Sequence, residues 1–197
     1  MSNPWLARPA EPTAEPEPEP TVAPATGPTA PHGPQVSSPG PLPMRLEFHA
    51  VDVRLWVTGA HGGAGTTTLA TLLEGHDGTC AWPGYPSPTL LVARTHMAGL
   101  TAAQAAARQW AGRGVPSVQT NLLGLVLVAD APGRLPRPLQ ELSRVVAGGV
   151  PRVWHLPWVE EWRVGQQPRT LPRPIHRLLQ DVSALVTPTP AQEAPRA

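Results

Sequence analysis

The chain contains no lysine; all fifteen of its Lys/Arg positions are arginine. Isoleucine, phenylalanine and tyrosine occur once each. This pattern fits a GC-rich coding bias and bears little on fold. The single cysteine, Cys80, excludes an internal disulfide and a multi-cysteine zinc site, and it fits a reducing compartment. No apolar run approaches the ~18 residues that a membrane-crossing helix needs. The opening residues MSNPWLARPAEP lack an apolar signal core, so a cytoplasmic rather than secreted protein is expected. A net charge of +1 points to neither nucleic acid nor an acidic membrane as partner.

Proline, in contrast, is abundant, at 28 of 197 residues. Thirteen of these lie in residues 1–43, including those of the run Glu15-Pro16-Glu17-Pro18-Glu19-Pro20. Such a Pro/Glu-rich segment buries too little apolar surface to offset its ordering entropy, so it is expected to be a disordered tail. Its Trp5-Leu6 pair is either a short docking motif or an isolated apolar spot. A domain is expected over 44–186, followed by a second disordered tail over 187–197.

Within that domain Val53-Arg54-Leu55-Trp56-Val57 alternates as a strand should. A glycine loop over 59–66 follows, then a helix from Thr67 to about Leu73. Residues 76–88 read as loop. Residues 90–93 read as a short apolar strand, and the alanine-rich stretch 101–111 as a helix. The run LLGLVLVA at 122–129 is nearly all apolar, as in a strand covered on both faces. A helix over 139–146, a strand over 153–156 and a helix over 174–185 complete the pattern. Strands alternating with helices predict an α/β fold: a mostly parallel sheet flanked by helices.

The glycine loop carries the strongest chemical signal. Thr58-Gly59-Ala60-His61-Gly62-Gly63-Ala64-Gly65-Thr66-Thr67-Thr68 leaves a strand and opens a helix. Glycines let successive N–H groups curve around an oxyanion, and a helix N-terminus adds a favourable dipole. Without a ligand, the same residues make a tight strand-to-helix turn. The motif His61-Gly62-Gly63-Ala64-Gly65-Thr66-Thr67-Thr68 resembles the deviant Walker A sequence KGG-x-GK-T-T of ParA/MinD-type P-loop ATPases. The resemblance implies a minimal P-loop NTPase-like fold, Mg-ATP as cofactor, Thr67 as the Mg²⁺-binding hydroxyl, and a homodimer formed over ATP. His61 stands in place of the signature lysine and Thr66 in place of the P-loop lysine. The latter neutralises phosphate charge during transfer, which threonine does not do. Arginine was available under the coding bias and was not used. His61 is neutral near pH 7 unless perturbed; it is either a loop histidine or a cation induced by phosphate.

Ligands of open α/β sheets sit at the carboxyl ends of strands. The polar residues there are Arg94-Thr95-His96, Asp130, and His155 with Trp158. Arg94 is either a solvated strand end or the source of the missing positive charge. Asp130 follows an apolar strand, as a Walker B carboxylate holding Mg²⁺ through water does. The resemblance, extended over roughly 53–185 with an internal deletion at 76–88, instead gives Asp130 a base-recognition position. A turn or helix cap is the third reading. His76, Asp77 and Cys80 lie close together, but no second cluster at ligand spacing accompanies them, so no metal site is expected there. Trp154, Trp158 and Trp162 are either core or a protein-binding face.

Two functions follow from these readings. One is a degenerate P-loop protein that binds ATP or a related nucleotide without efficient hydrolysis, as a switch or scaffold. Its nucleotide-binding residues are His61, Gly62, Gly63, Ala64, Gly65, Thr66, Thr67, Thr68, Arg94 and Asp130, and no catalytic residue is assigned. The other is a non-catalytic interaction module that keeps the fold and binds partners through the proline-rich tail or the tryptophans. An active ATPase requires Arg94, His61 or a partner residue to supply the charge.

Overall fold

The structure, a computed structural model, describes residues 42–48, 53–112 and 120–186. Both expected tails lie outside these residues, apart from positions 42 and 43, and so does Trp5-Leu6. The elements in chain order are β1 (Arg45–Glu47), β2 (Trp56–Gly59), α1 (Thr66–Leu72), β3 (His76–Asp77), β4 (Ala81–Pro83), β5 (Pro88–Arg94), α2 (Met97–Ala111), β6 (Asn121–Val128), α3 (Arg137–Ala147), β7 (Val153–Leu156), α4 (Glu160–Arg163) and α5 (Arg173–Val186).

The α/β expectation holds. Five strands form one parallel sheet in the order β3-β2-β5-β6-β7. A separate parallel pair joins β1 to β4. Side chains of β5 and β6 alternate between two apolar layers. Leu90, Val92, Val126 and Val128 share one layer with Leu69 and Ala70 of α1 and with Ile175, Leu178 and Val182 of α5. Leu91, Ala93, Leu125 and Leu127 share the other with Leu100, Ala103 and Ala106 of α2 and Val146 of α3. A strand covered on both faces has no reason to alternate with polar residues, which is why β5 and β6 are continuous apolar runs.

The helix after β2 therefore packs on one face and the helices after β5 and β6 on the other. Numbered by their own order in the chain, the sheet strands run 2-1-3-4-5. That is a doubly wound order, with its topological switch point between β2 and β5. The turns leaving these two strands flank the crevice where such sheets place ligands.

Several boundaries differ from the sequence pattern. The segment 76–88, expected as loop, contains β3 and β4. Two- and three-residue strands carry no readable period, and their pairing to β2 and β1 is non-local. Helix α2 begins at Met97 rather than at 101. His96 is its N-cap, its Nδ1 accepting the Gly99 N–H at 3.0 Å. Gly99 obscured this start because glycine is a poor helix former. Its role is close approach: a Cβ there would overlap the Arg94 carbonyl and come within 2.8 Å of His61 Nε2. Gly99→Ala is expected to cost about 1–3 kcal/mol through overpacking, read by chemical denaturation.

Candidate functional site

The turn from β2 into α1 is pinned from both sides. The Gly59 N–H donates to the Thr79 carbonyl at 2.7 Å, and the Ala60 N–H to the Val92 carbonyl at 2.8 Å. The Ala64 methyl is fully buried in the apolar layer beneath. Gly63 and Gly65 take φ of 76° and 100°, in the left-handed region that glycine reaches without strain. Where Gly62, Gly63 and Gly65 would carry a Cβ there is no atom within 4 Å. The turn is thus anchored underneath and open above.

The three threonines that follow behave differently. Thr66 begins α1 and is buried, and its Oγ1 would stand 2.7 Å from a Cβ on Gly59. Its side chain therefore folds back against the end of β2. Thr67 is exposed and donates its Oγ1–H to Asp77 Oδ2 at 2.6 Å. The other oxygen of Asp77 accepts the Thr79 N–H at 2.9 Å. Thr68 is half-buried on the next position of the helix. Asp77 is the residue that sequence reasoning missed as a site member. Its strand is two residues long, held by bonds from the His76 N–H to the Leu55 carbonyl and from the Gly78 N–H to the Val57 carbonyl, both 2.8 Å. Beyond it, Thr79 has φ of 52°, unusual for a β-branched residue. The bonds to Asp77 and Gly59 hold that strained backbone in place.

Across the switch point, His61 joins the two flanking turns. The Arg94 backbone N–H donates to His61 Nε2 at 3.1 Å. Nε2 is therefore an acceptor, and the ring proton is on Nδ1, which donates to the Gly62 carbonyl at 2.9 Å. The His96 ring lies edge-on at a centroid distance of 5.0 Å. Burial pushes the His61 pKa below its ordinary 6.5. The Gly62 carbonyl opposes this; nearby His96 and Arg94 add to it, and Asp130 opposes it. His61 is thus a neutral tie between loops rather than a solvated loop histidine.

Arg94 is half-buried, and its Nη1–H donates to the Ala129 carbonyl at 3.1 Å, which ties it to the end of β6. Asp130 is exposed, and its backbone N–H donates to the buried Thr95 Oγ1 at 3.2 Å. It caps no helix: α3 starts after Pro136. A cavity of about 310 Å³ opens beside it, between Thr95, His96, Arg134, His155 and the apolar Leu127 and Leu139.

The structure brings together residues 59–67 with Asp77, and His61 with Arg94, His96 and Asp130. The tryptophans belong elsewhere. Trp154 is buried, with its Nε1–H on Asp181 at 2.9 Å, and Trp162 packs against the same layer. Trp158 is half-buried with its Nε1–H on Glu160 at 2.6 Å. Among the described residues there is no group of three or more His, Cys, Asp or Glu side chains placed to hold a metal. Burial raises the half-buried Cys80 thiol above its ordinary pKa, which disfavours the reactive thiolate. No helix among the described residues is long and apolar enough to cross a membrane.

Fold and site together define a doubly wound α/β protein with a glycine-rich strand-to-helix turn at its switch point. The chain belongs to the family of unknown function DUF6668, whose match covers residues 53–179, from just before β2 into α5. The chain matches no curated protein and no solved structure.

Proposed function

We propose that this protein is a degenerate P-loop, ParA/MinD-like nucleotide-binding protein that holds ATP or a related nucleotide as a switch or scaffold, without efficient hydrolysis. One observation carries the reading: the turn that is open at Gly62, Gly63 and Gly65 runs in the chain straight into the helix whose Thr67 bonds Asp77. Curved backbone N–H groups suit a phosphate. A hydroxyl and a carboxylate oxygen side by side suit Mg²⁺, which is usually bound by few protein oxygens together with phosphate and water. Thr67 and Asp77 would hold that ion, and bound Mg²⁺ would neutralise phosphate charge. Gly62, Gly63, Gly65 and Thr66 would contribute backbone N–H groups to the cradle, and Ala64, whose N–H donates to the His61 carbonyl at 3.4 Å, would brace it. Arg94 and Asp130 border the crevice through which the rest of the nucleotide would extend.

The arrangement of charge argues against fast phosphoryl transfer. Thr66 is folded inward and Arg94 is tied to Ala129. Positioned cations supply much of the stabilisation in such reactions. The same two facts favour the second reading, an interaction module without nucleotide.

Calorimetric titration of the full chain with Mg-ATP separates the two. Saturable binding is expected, and Gly62→Asp is expected to weaken it by at least about tenfold by setting a carboxylate against phosphate. Gly62 is the informative position, because it has open space and no left-handed φ, whereas Gly63 and Gly65 would be strained by any side chain. No saturable heat up to millimolar nucleotide would sink the proposal in favour of the module.

A further inference from the structure

We propose that His61 is a proton-linked positioning residue of the glycine cradle: a phosphate seated against residues 62–65 draws a proton onto its imidazole and so creates the cation that Thr66 does not supply. This rests on the phosphate-binding reading and states how that site is regulated.

The geometry gives His61 two exclusive states. In the neutral state each ring nitrogen has its partner, Arg94 N–H at Nε2 and the Gly62 carbonyl at Nδ1. Protonation turns both nitrogens into donors. Nε2–H then opposes the Arg94 N–H, so the tie to β5 is lost and the ring turns away. Gly99 of α2 lets the ring lie this close to the helix, since a Cβ there would stand 2.8 Å from Nε2. The ring retains its bond to Gly62, the first residue of the open face, and so stays beside the cradle.

The charged groups facing His61 come from three elements. Arg94 at the end of β5 and His96 at the start of α2 disfavour the imidazolium, whereas Asp130 after β6 favours it. Burial favours the neutral ring as well. The folded state therefore binds fewer protons than the unfolded chain. His61 contributes stability above pH 6.5 that is lost as pH falls through its lowered folded-state value. A phosphate in the cradle reverses the balance by placing negative charge beside the ring. Linkage makes the effect reciprocal: whatever factor phosphate adds to proton affinity, protonation adds to phosphate affinity.

The test compares Mg-ATP affinity of the wild type and His61→Gln by calorimetry from about pH 8 to about pH 5.5. Glutamine can accept the Arg94 N–H and does not titrate, and the ratio of the two association constants cancels the titration of ATP itself. The ratio is expected to rise several-fold between about pH 8 and about pH 5.5, approaching tenfold only well below the nucleotide-free pKa, as a pKa increase of about one unit requires. The His61 pKa of the wild-type protein, followed by proton NMR with and without saturating Mg-ATP, is expected to rise by the same amount. This second measurement does not depend on the variant folding. A flat ratio, or an unmoved pKa at saturation, would overturn the proton link while leaving nucleotide binding intact. Absence of binding at every pH would overturn both.

Discussion

Asp77→Asn is expected to lower the Mg²⁺-dependent part of nucleotide affinity by about 10–100-fold, the range typical for residues that orient a metal site. Thr67 Oγ1 lies 2.6 Å from Asp77 Oδ2, and Thr67 stands one residue past the start of α1. A hydroxyl alone is a weak Mg²⁺ ligand, so a neighbouring carboxylate is what makes the pair attractive to a divalent ion. Asparagine can keep its oxygen on the Thr79 N–H and turn its amide N–H toward Thr67 Oγ1, but it removes the charge. Stability should change little, because Asp77 is only half-buried. Affinity measured in excess EDTA should be the same in variant and wild type. Equal affinities in the presence of Mg²⁺ would mean that the Thr67–Asp77 bond is only a turn-stabilising contact. The helix contributes little by itself: α1 has seven residues, so the macrodipole is small and the pair must provide most of the selectivity for metal-bound phosphate.

Much of the fold was legible in the sequence. The run 122–129 announced a doubly covered strand, and β6 occupies Asn121–Val128 between two apolar layers. The glycine loop announced a strand-to-helix turn, and it connects β2 to α1. Asp77 was hidden because its strand has two residues and exists only through pairing with β2. A period of two needs at least several residues to appear. The environment of His61 was hidden for a different reason. Its partner Arg94 is brought to it by the β2–β5 register, in which Gly59 pairs with Val92. The direction of Thr66 was equally unreadable, since it depends on space left at Gly59. The trio 154, 158 and 162 gave an ambiguous signal because aromatic residues serve cores and interfaces alike, and burial of Trp154 places it in the core.

Trp56→Ala is expected to cost about 3–5 kcal/mol and to weaken nucleotide binding as well, because Trp56 is the support on which the Asp77 arm rests. The side chain is 1 % exposed. Its indole N–H donates to the Ala81 carbonyl at 2.9 Å, and its ring lies 4.5 Å from that of His76. A Cβ on Gly78 would overlap the same indole. Residues 76, 78 and 81 thus all take their positions from one ring, and Asp77 lies among them. Removing the ring opens a cavity beneath β3 and leaves the Ala81 carbonyl without its indole donor. Trp56→Phe separates the two contributions. It retains most of the packing and loses the N–H, so it should cost only about 1–3 kcal/mol. Denaturation gives the stability of each variant, and calorimetry at a temperature where both remain folded gives the affinity. If Trp56→Ala unfolds more easily yet, when folded, binds Mg-ATP as the wild type does, then Asp77 is held by the β2–β3 backbone bonds alone. If affinity falls with packing across the pair of variants, the apolar floor of the sheet sets the geometry of its phosphate site.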